Sequence, residues 1–204
     1  PSLRATVPVL VDPGRSAQHK PRLLGNDSTP LSEALNLWPA EAGAPDLAPE
    51  GLRAQIASWQ QLLQPAVNDG VYRCGFARNQ TSYDRASVAM VEALEELERS
   101  LQHRGPWLCG ETLTLADVRL FPTLIRWETV YAPLFGCSAR PLWMMPELWR
   151  WRQRFMALPG VEATCDAEAW RHDYFGALFP LNPGGIVPDA PKLSTLVNST
   201  ISLP

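Results

Sequence analysis

Leu113-Thr114-Leu115-Ala116-Asp117-Val118-Arg119-Leu120-Phe121-Pro122-Thr123-Leu124-Ile125-Arg126-Trp127 is the stretch on which the fold turns. Thr114 and Asp117 have the spacing of a capping box, with Asp in place of the usual Glu or Gln. The Thr hydroxyl accepts from the N3 amide, and the Asp carboxylate reaches back to the N-cap amide. Leu113 before the cap and Val118 after it are placed for a hydrophobic staple. The helix beyond is apolar on most sides, which is the pattern of a helix buried inside a bundle. Pro122 removes one backbone hydrogen bond and is predicted to kink it. These signals predict the core of an all-helical domain and say nothing yet about chemistry.

Composition bounds the rest. At 204 residues the chain suits one ordinary domain, or a helical domain with part of another. A net charge of −3 gives no electrostatic reason for a nucleic-acid or anionic-membrane partner. No apolar run reaches the roughly 18–20 residues that span a bilayer, and no leader pattern opens the chain. Pro1 in first place is expected of a processed or truncated N-terminus. Cys74, Cys109, Cys137 and Cys165 lie far apart, with no C-x-x-C pair and only 3 histidines. That argues against a metal site and against a disulfide scaffold, and predicts a reducing, cytoplasmic setting. The sequon Asn198-Ser199-Thr200 is read as chance.

Upstream of the opening stretch, residues 7–12 form a short β-branched run ending at the turn signal Pro13-Gly14. Residues 22–25 predict a second strand, and Ser28 is expected to cap a helix through Asn36. Two strands and a helix cannot bury a sheet alone, so this segment reads as half of a domain. Pro39, Gly43, Pro45 and Pro49 mark a linker. Leu52, Ile56, Trp59 and Leu63 recur at helical spacing until Pro65, and Asn68-Asp69-Gly70 signals a turn. Residues 82–103 predict an amphipathic helix with Tyr83, Met90, Val91, Leu94, Leu97 and Leu101 inward and glutamates opposite. Further helices are predicted over 146–158 and 166–175. From Asn182-Pro183-Gly184-Gly185 onward, proline and glycine are expected to prevent regular structure.

Several runs, taken in order, resemble the glutathione transferase superfamily. Val7-Pro8 resembles its Val–cis-Pro dipeptide, Asp27-Ser28 its acidic-Ser pair, and residues 113–118 its capping box. Asn68-Asp69-Gly70-Val71-Tyr72-Arg73-Cys74-Gly75-Phe76-Ala77, residues 115–126 with Val130-Tyr131, His172-Asp173-Tyr174-Phe175 and residues 182–188 resemble one branch, the glutathionyl-hydroquinone reductases (Xi-class glutathione transferases). The resemblance covers about residues 7–191. It implies a mainly α chain: a glutathione-transferase-type all-helical C-terminal domain (51–180) preceded by a partial thioredoxin-like α/β segment (1–36) and a linker (37–50), with a Pro/Gly-rich tail (181–204).

The same resemblance implies a function. Glutathione would be the co-substrate, held by Val7, Asp27 and Ser28, with Pro8 as the structural cis-proline. Glutathionyl-hydroquinones would be reduced to hydroquinones through a cysteine mixed disulfide. Tyr72, Tyr131 and Tyr174 would line the pocket for a small quinone or hydroquinone, and the protein would be a homodimer. The family's Cys-Pro-Trp-Ala nucleophile motif has no counterpart here, so this chain alone is expected to be inactive. Two other readings stay open: a non-catalytic helical binding module, and a conventional glutathione conjugase. Each tyrosine also reads as a half-buried core residue with one hydrogen-bond partner, and Asp27-Ser28 as an ordinary cap. Cys74 and His172 are read as structural, and Thr114 and Asp117 as folding devices.

Overall fold

The structure, a computed structural model, describes residues 8–14, 21–38, 43–137 and 139–198. The chain divides into two compact units, Pro1–Arg53 and Ala54–Pro204. In the first, β1 (Leu10–Asp12) and β2 (Arg22–Gly25) pair antiparallel, with Val11 opposite Leu23 and Asp12 opposite Arg22. The first strand is shorter than the 7–12 run predicts. Asp12 Oδ1 accepts the Gly14 amide at 2.9 Å, the local bond that makes Asp a turn residue. Helix α1 (Ser28–Asn36) follows. Its cap is Asp27, not Ser28 as expected. Asp27 is extended and its Oδ1 accepts the Thr29 amide at 2.9 Å, so Ser28 becomes the first helical residue. None of this unit's described residues is buried.

The second unit is helical, and α2 (Arg53–Leu63) runs into it. Then come α3 (Gly70–Gly75), α4 (Gln80–Arg104), α5 (Leu115–Ile125), α6 (Ala132–Phe135), α7 (Pro146–Met156), α8 (Ala167–Ala177) and α9 (Leu193–Asn198). The predicted central helix is α5, starting at the predicted residue and with both halves of the capping box formed. Eight of its eleven residues are buried, including Leu120, Leu124 and Ile125, so it has almost no solvent face.

Asp117 does more than cap. Its Oδ2 accepts the Thr114 amide at 3.0 Å, while Oδ1 accepts the Leu108 amide at 3.0 Å and Trp151 Nε1 at 2.9 Å. Trp59 Nε1 in turn donates to the Leu108 carbonyl at 2.8 Å. One fully buried carboxylate thus ties the start of α5 to α7 and, through Leu108, to α2. Burial pushes its carboxyl up, and the four hydrogen bonds from Leu108, Trp151 and Thr114 pull it back part of the way.

Three expectations change. Asn68-Asp69-Gly70 does not reverse the chain. Residues Gln64–Asn68 form a π-type turn, Asp69 donates to the Gln64 carbonyl at 2.9 Å with helical dihedrals, and α3 continues. The Asn68 side chain, free of any local turn, donates to the Arg119 carbonyl and Thr123 Oγ1, both at 2.9 Å, beside Pro122 in α5. The glutamates of α4 are not all a solvated face. Glu98 accepts the Glu147 and Leu148 amides at 2.9 and 2.8 Å, satisfying the open N-terminus of α7. The tail contains α9, whose Leu196 is buried and whose Leu196 carbonyl accepts Arg152 Nη2 at 3.3 Å.

Candidate functional site

Two backbone irregularities deliver the tyrosines. Tyr72 sits on α3, which begins directly after the Gln64–Asn68 π-type turn. Tyr131 ends a second π-type turn, Trp127–Tyr131, in which Val130 and Tyr131 both donate to the Arg126 carbonyl, at 2.9 and 3.3 Å. Such turns rotate the residues beyond them relative to the helix before, and they recur at functional sites. Tyr174 comes from α8, started by Asp166, whose Oδ1 accepts the Ala169 amide at 2.9 Å.

The three hydroxyls converge. Tyr72 and Tyr174 oxygens are 2.6 Å apart, Tyr131 and Tyr174 3.1 Å, and Tyr72 and Tyr131 3.5 Å. Each phenol carries one donor and can accept, so three together close a cycle that any one can open toward an incoming oxygen. The cluster grades from buried Tyr131, 4% exposed, to Tyr72, 38% exposed. Burial pushes Tyr72 up to about 12, with the Arg126 charge pulling slightly the other way. Burial, then the hydrogen bonds from Tyr174 and Tyr72, push Tyr131 up as well. Both are therefore neutral O–H donors at physiological pH.

Phe135 forms the floor. Its ring lies 5.3 Å from Tyr72, 5.5 Å from Tyr131 and 6.2 Å from Tyr174, centroid to centroid. Gly75 makes room for it: a Cβ there would stand 2.5 Å from Phe135 Cγ. Arg126 flanks the cluster with its guanidinium 4.2 Å from the Trp170 ring centre and Nη1 donating to the Pro122 carbonyl at 2.8 Å. Sequence reasoning singled out the tyrosines and missed Phe135, Gly75 and Trp170. The available signals were Phe135 four residues beyond Tyr131, one turn on, and Gly75 inside a quoted motif.

The remaining candidates separate from this cluster. Val7 lies outside the described residues, and with it the Val7–Pro8 peptide bond; Pro8 itself is exposed. Asp27 and Ser28 form the N-terminus of α1 in the first unit. His172 is exposed on α8. All four cysteines are free, and Cys74, Cys109 and Cys137 are buried. A hydrogen bond with Cys74, then burial, raises Cys137; burial raises Cys109 and Cys165. Cys74 is drawn down by its bond with Cys137, yet it is only 3% exposed. Among the described residues no group of three or more His, Cys, Asp or Glu is placed to hold a metal ion, and no helix is long and apolar enough to cross a membrane.

Residues 80–154 match the family model of the glutathione S-transferase C-terminal domain. The chain is 34% identical over 190 residues to the glutathionyl-hydroquinone reductase PcpF of Sphingobium chlorophenolicum, covering 92% of this chain and 59% of that protein. It is 33% identical over 193 residues to the glutathionyl-hydroquinone reductase YqjG of Escherichia coli K12, covering 92% and 56%. The glutathione-bound structure of YqjG superposes with a TM-score of 0.77, over 83% of this chain and 56% of that one. The crystal structure of the glutathione S-transferase Xi from Phanerochaete chrysosporium gives 0.78 at 35% identity, over 83% and 56%. The chain thus spans rather more than half the length of these two reductases. A C-terminal domain matched by sequence, a helical fold shared with Xi-class structures and similarity over most of the chain agree. The chain carries a glutathione S-transferase C-terminal domain and, over most of its length, is similar to glutathionyl-hydroquinone reductases and Xi-class glutathione transferases.

Proposed function

We propose that this chain serves glutathione-dependent reduction of glutathionyl-hydroquinones to hydroquinones, with Tyr72, Tyr131 and Tyr174 binding the phenolic oxygens. The convergence of three neutral tyrosine hydroxyls within 2.6–3.5 Å carries the reading. A hydroquinone oxygen both donates and accepts, as the cluster does, and Tyr72 leaves the rim accessible. In this reading a cysteine thiolate attacks the glutathionyl sulfur and forms a mixed disulfide. The electron pair of the broken carbon–sulfur bond stays on the ring carbon, which takes a proton. A second glutathione thiolate then attacks the glutathione sulfur of the mixed disulfide, forming oxidised glutathione and releasing the cysteine thiolate. The tyrosines, held protonated by burial, orient the ring and keep a proton beside it.

In this reading the nucleophile is not one of the four cysteines of this sequence, and the burial of Cys74, Cys109 and Cys137 supports that. Asp27 and Ser28, at the N-terminus of α1, would take the γ-glutamyl end of glutathione, as helix N-termini take anions. Val7 and Pro8 belong to the same proposed glutathione surface. This reading treats residues 1–36 as thioredoxin-like, 37–50 as linker, 51–180 as the helical domain and 181–204 as tail, in a cytoplasmic homodimer. Burial of the thiols favours the binding-module reading for these residues taken alone.

Two measurements test the proposal. Anaerobic hydroquinone titration, followed by tryptophan fluorescence, should show affinity falling about tenfold or more in the Tyr72→Phe/Tyr174→Phe double variant. Equal affinity would remove the tyrosines from the site. Incubating the chain with glutathionyl-menadiol and glutathione should give no oxidised glutathione; turnover would place the nucleophile among its own cysteines.

A further inference from the structure

Two of the free cysteines, Cys74 and Cys137, are far apart in sequence and meet inside the helical unit. Cys74 is on α3 with Tyr72, and Cys137 follows the left-handed Gly136 that ends α6. Cys137 Sγ lies 3.8 Å from the Val71 carbonyl, one helical turn before Cys74 on α3. The Cys137 amide donates to the Tyr131 carbonyl at 3.2 Å, which fixes its backbone. Beside Cys74, the bare Gly75 lets Phe135 of α6 press directly against α3. The two thiols share a hydrogen bond, and they are 3% and 1% exposed.

Burial alone does not single out this pair. Cys109 is also buried, but its neighbours are the Thr114 hydroxyl, at 3.5 Å, and the Asp117 carboxylate. Cys165 is more open and stands near Thr164, Arg126 and Glu162. Neither set contains a second sulfur. Side chains that already meet at sulfur need little backbone movement to bridge, which is the condition a disulfide imposes. The pair is also asymmetric. The shared hydrogen bond draws Cys74 down and raises Cys137, so Cys74 is the thiol that reaches the reactive thiolate first.

We propose that Cys74 and Cys137 form a reversible disulfide when the chain meets a small peroxide such as hydrogen peroxide, and that the bridge ties α3 to the end of α6. The Cys74 thiolate attacks a peroxide oxygen; an S–O bond forms, the O–O bond breaks and hydroxide leaves. The Cys137 sulfur then attacks the Cys74 sulfur of this sulfenic acid. The S–S bond forms, the S–O bond breaks, and the second hydroxide departs as water with the Cys137 proton. The two thiols give up two electrons and the peroxide takes them, ending as water. Glutathione reverses the bridge by thiol exchange and is itself oxidised to its disulfide. A compact oxidant suits a pair with so little exposure. The proposal stands apart from the hydroquinone reading, in which neither thiol takes part. Its structural effect is to join the element that carries Tyr72 to the segment that follows Tyr131.

Treating the full chain with hydrogen peroxide, quenching in acid and alkylating in denaturant tests this, at doses that leave the helical circular dichroism unchanged. Two free thiols should be lost, non-reducing peptide mapping should join the Cys74 and Cys137 peptides, and glutathione should restore both thiols. The Cys109→Ser/Cys165→Ser variant should form the same bridge. Cys137→Ser should instead leave Cys74 as a sulfenic acid that dimedone traps. Amide exchange in α3 should slow about tenfold in the bridged protein. All thiols surviving a dose that oxidises a free cysteine peptide, a bridge through Cys109 or Cys165, or α3 exchange unchanged by bridging overturns the proposal.

Discussion

The hairpin and α1 of the first unit contrast with α5 of the second. Both are introduced by strong local signals: Pro13-Gly14 and Asp27 in one, the Thr114–Asp117 box in the other. Their surroundings differ. Val9, Val11, Leu23 and Leu24 of the hairpin region are 43–58% exposed, while Leu120 and Leu124 of α5 are 0% exposed. Burying a Leu side chain is worth about 1.5–3 kcal/mol, so the second unit has a driving force that the first does not draw from its own described residues. Local chemistry decides where an element starts; packing decides how long it persists.

Hydrogen exchange tests this contrast at its widest. Amides of β1 and β2 should exchange about a thousandfold or more faster than those of residues 120–124, because local opening costs little where nothing is buried. Equal protection would show that the first unit has its own stabilising core. Next in size, Asp117→Asn should destabilise the second unit by about 1–3 kcal/mol in a denaturant melt. The new amide keeps one oxygen for the Leu108 and Trp151 N–H groups but turns its NH2 toward the Thr114 N–H that the second carboxylate oxygen now serves. Gly75→Ala should cost about 1–3 kcal/mol, since its Cβ collides with the Phe135 ring and the floor must shift.

Smaller effects sharpen the same comparison. Tyr72 has its pKa raised from 10 to about 12, so its contribution to stability is fully present below pH 10 and fades as pH climbs through 12. Phenolate absorbance near pH 12 should therefore fall by one tyrosine in Tyr72→Phe; a Tyr72 titrating at 10 would mean an open, solvated cluster. Asp27→Ala, at an exposed cap, should cost α1 about 1 kcal/mol of local helix stability by amide exchange and leave α5 untouched.

The division between local and non-local information also explains what sequence reading recovers. The start of α5, the second strand and the Asp166 start of α8 follow from residues within a few positions of each other. Asn68-Asp69-Gly70 misleads because the Asn68 amide is spent 51 and 55 residues away, on Arg119 and Thr123. Glu98 looks solvated until α7 is placed on it, and α9 looks structureless until Arg152 takes the Leu196 carbonyl. At the site, the tyrosines come from motif resemblance and their convergence from the fold. Trp170 carries no local mark, because its work is to touch Arg126, a residue distant in the chain.

The contact between Gly75 and Phe135 has a consequence for how this site can vary over evolutionary time. With a phenyl ring at 135, any side chain at 75 is obstructed, so the two positions are not free to drift independently. The obstruction includes the Cβ and Cγ at 135 as well as the ring, so shrinking that side chain does not alone make room for alanine at 75; the backbone must shift too. Families of such chains should therefore keep glycine at 75 whether phenylalanine or another large side chain stands at 135, and Gly75→Ala should stay harmful when leucine replaces phenylalanine at 135.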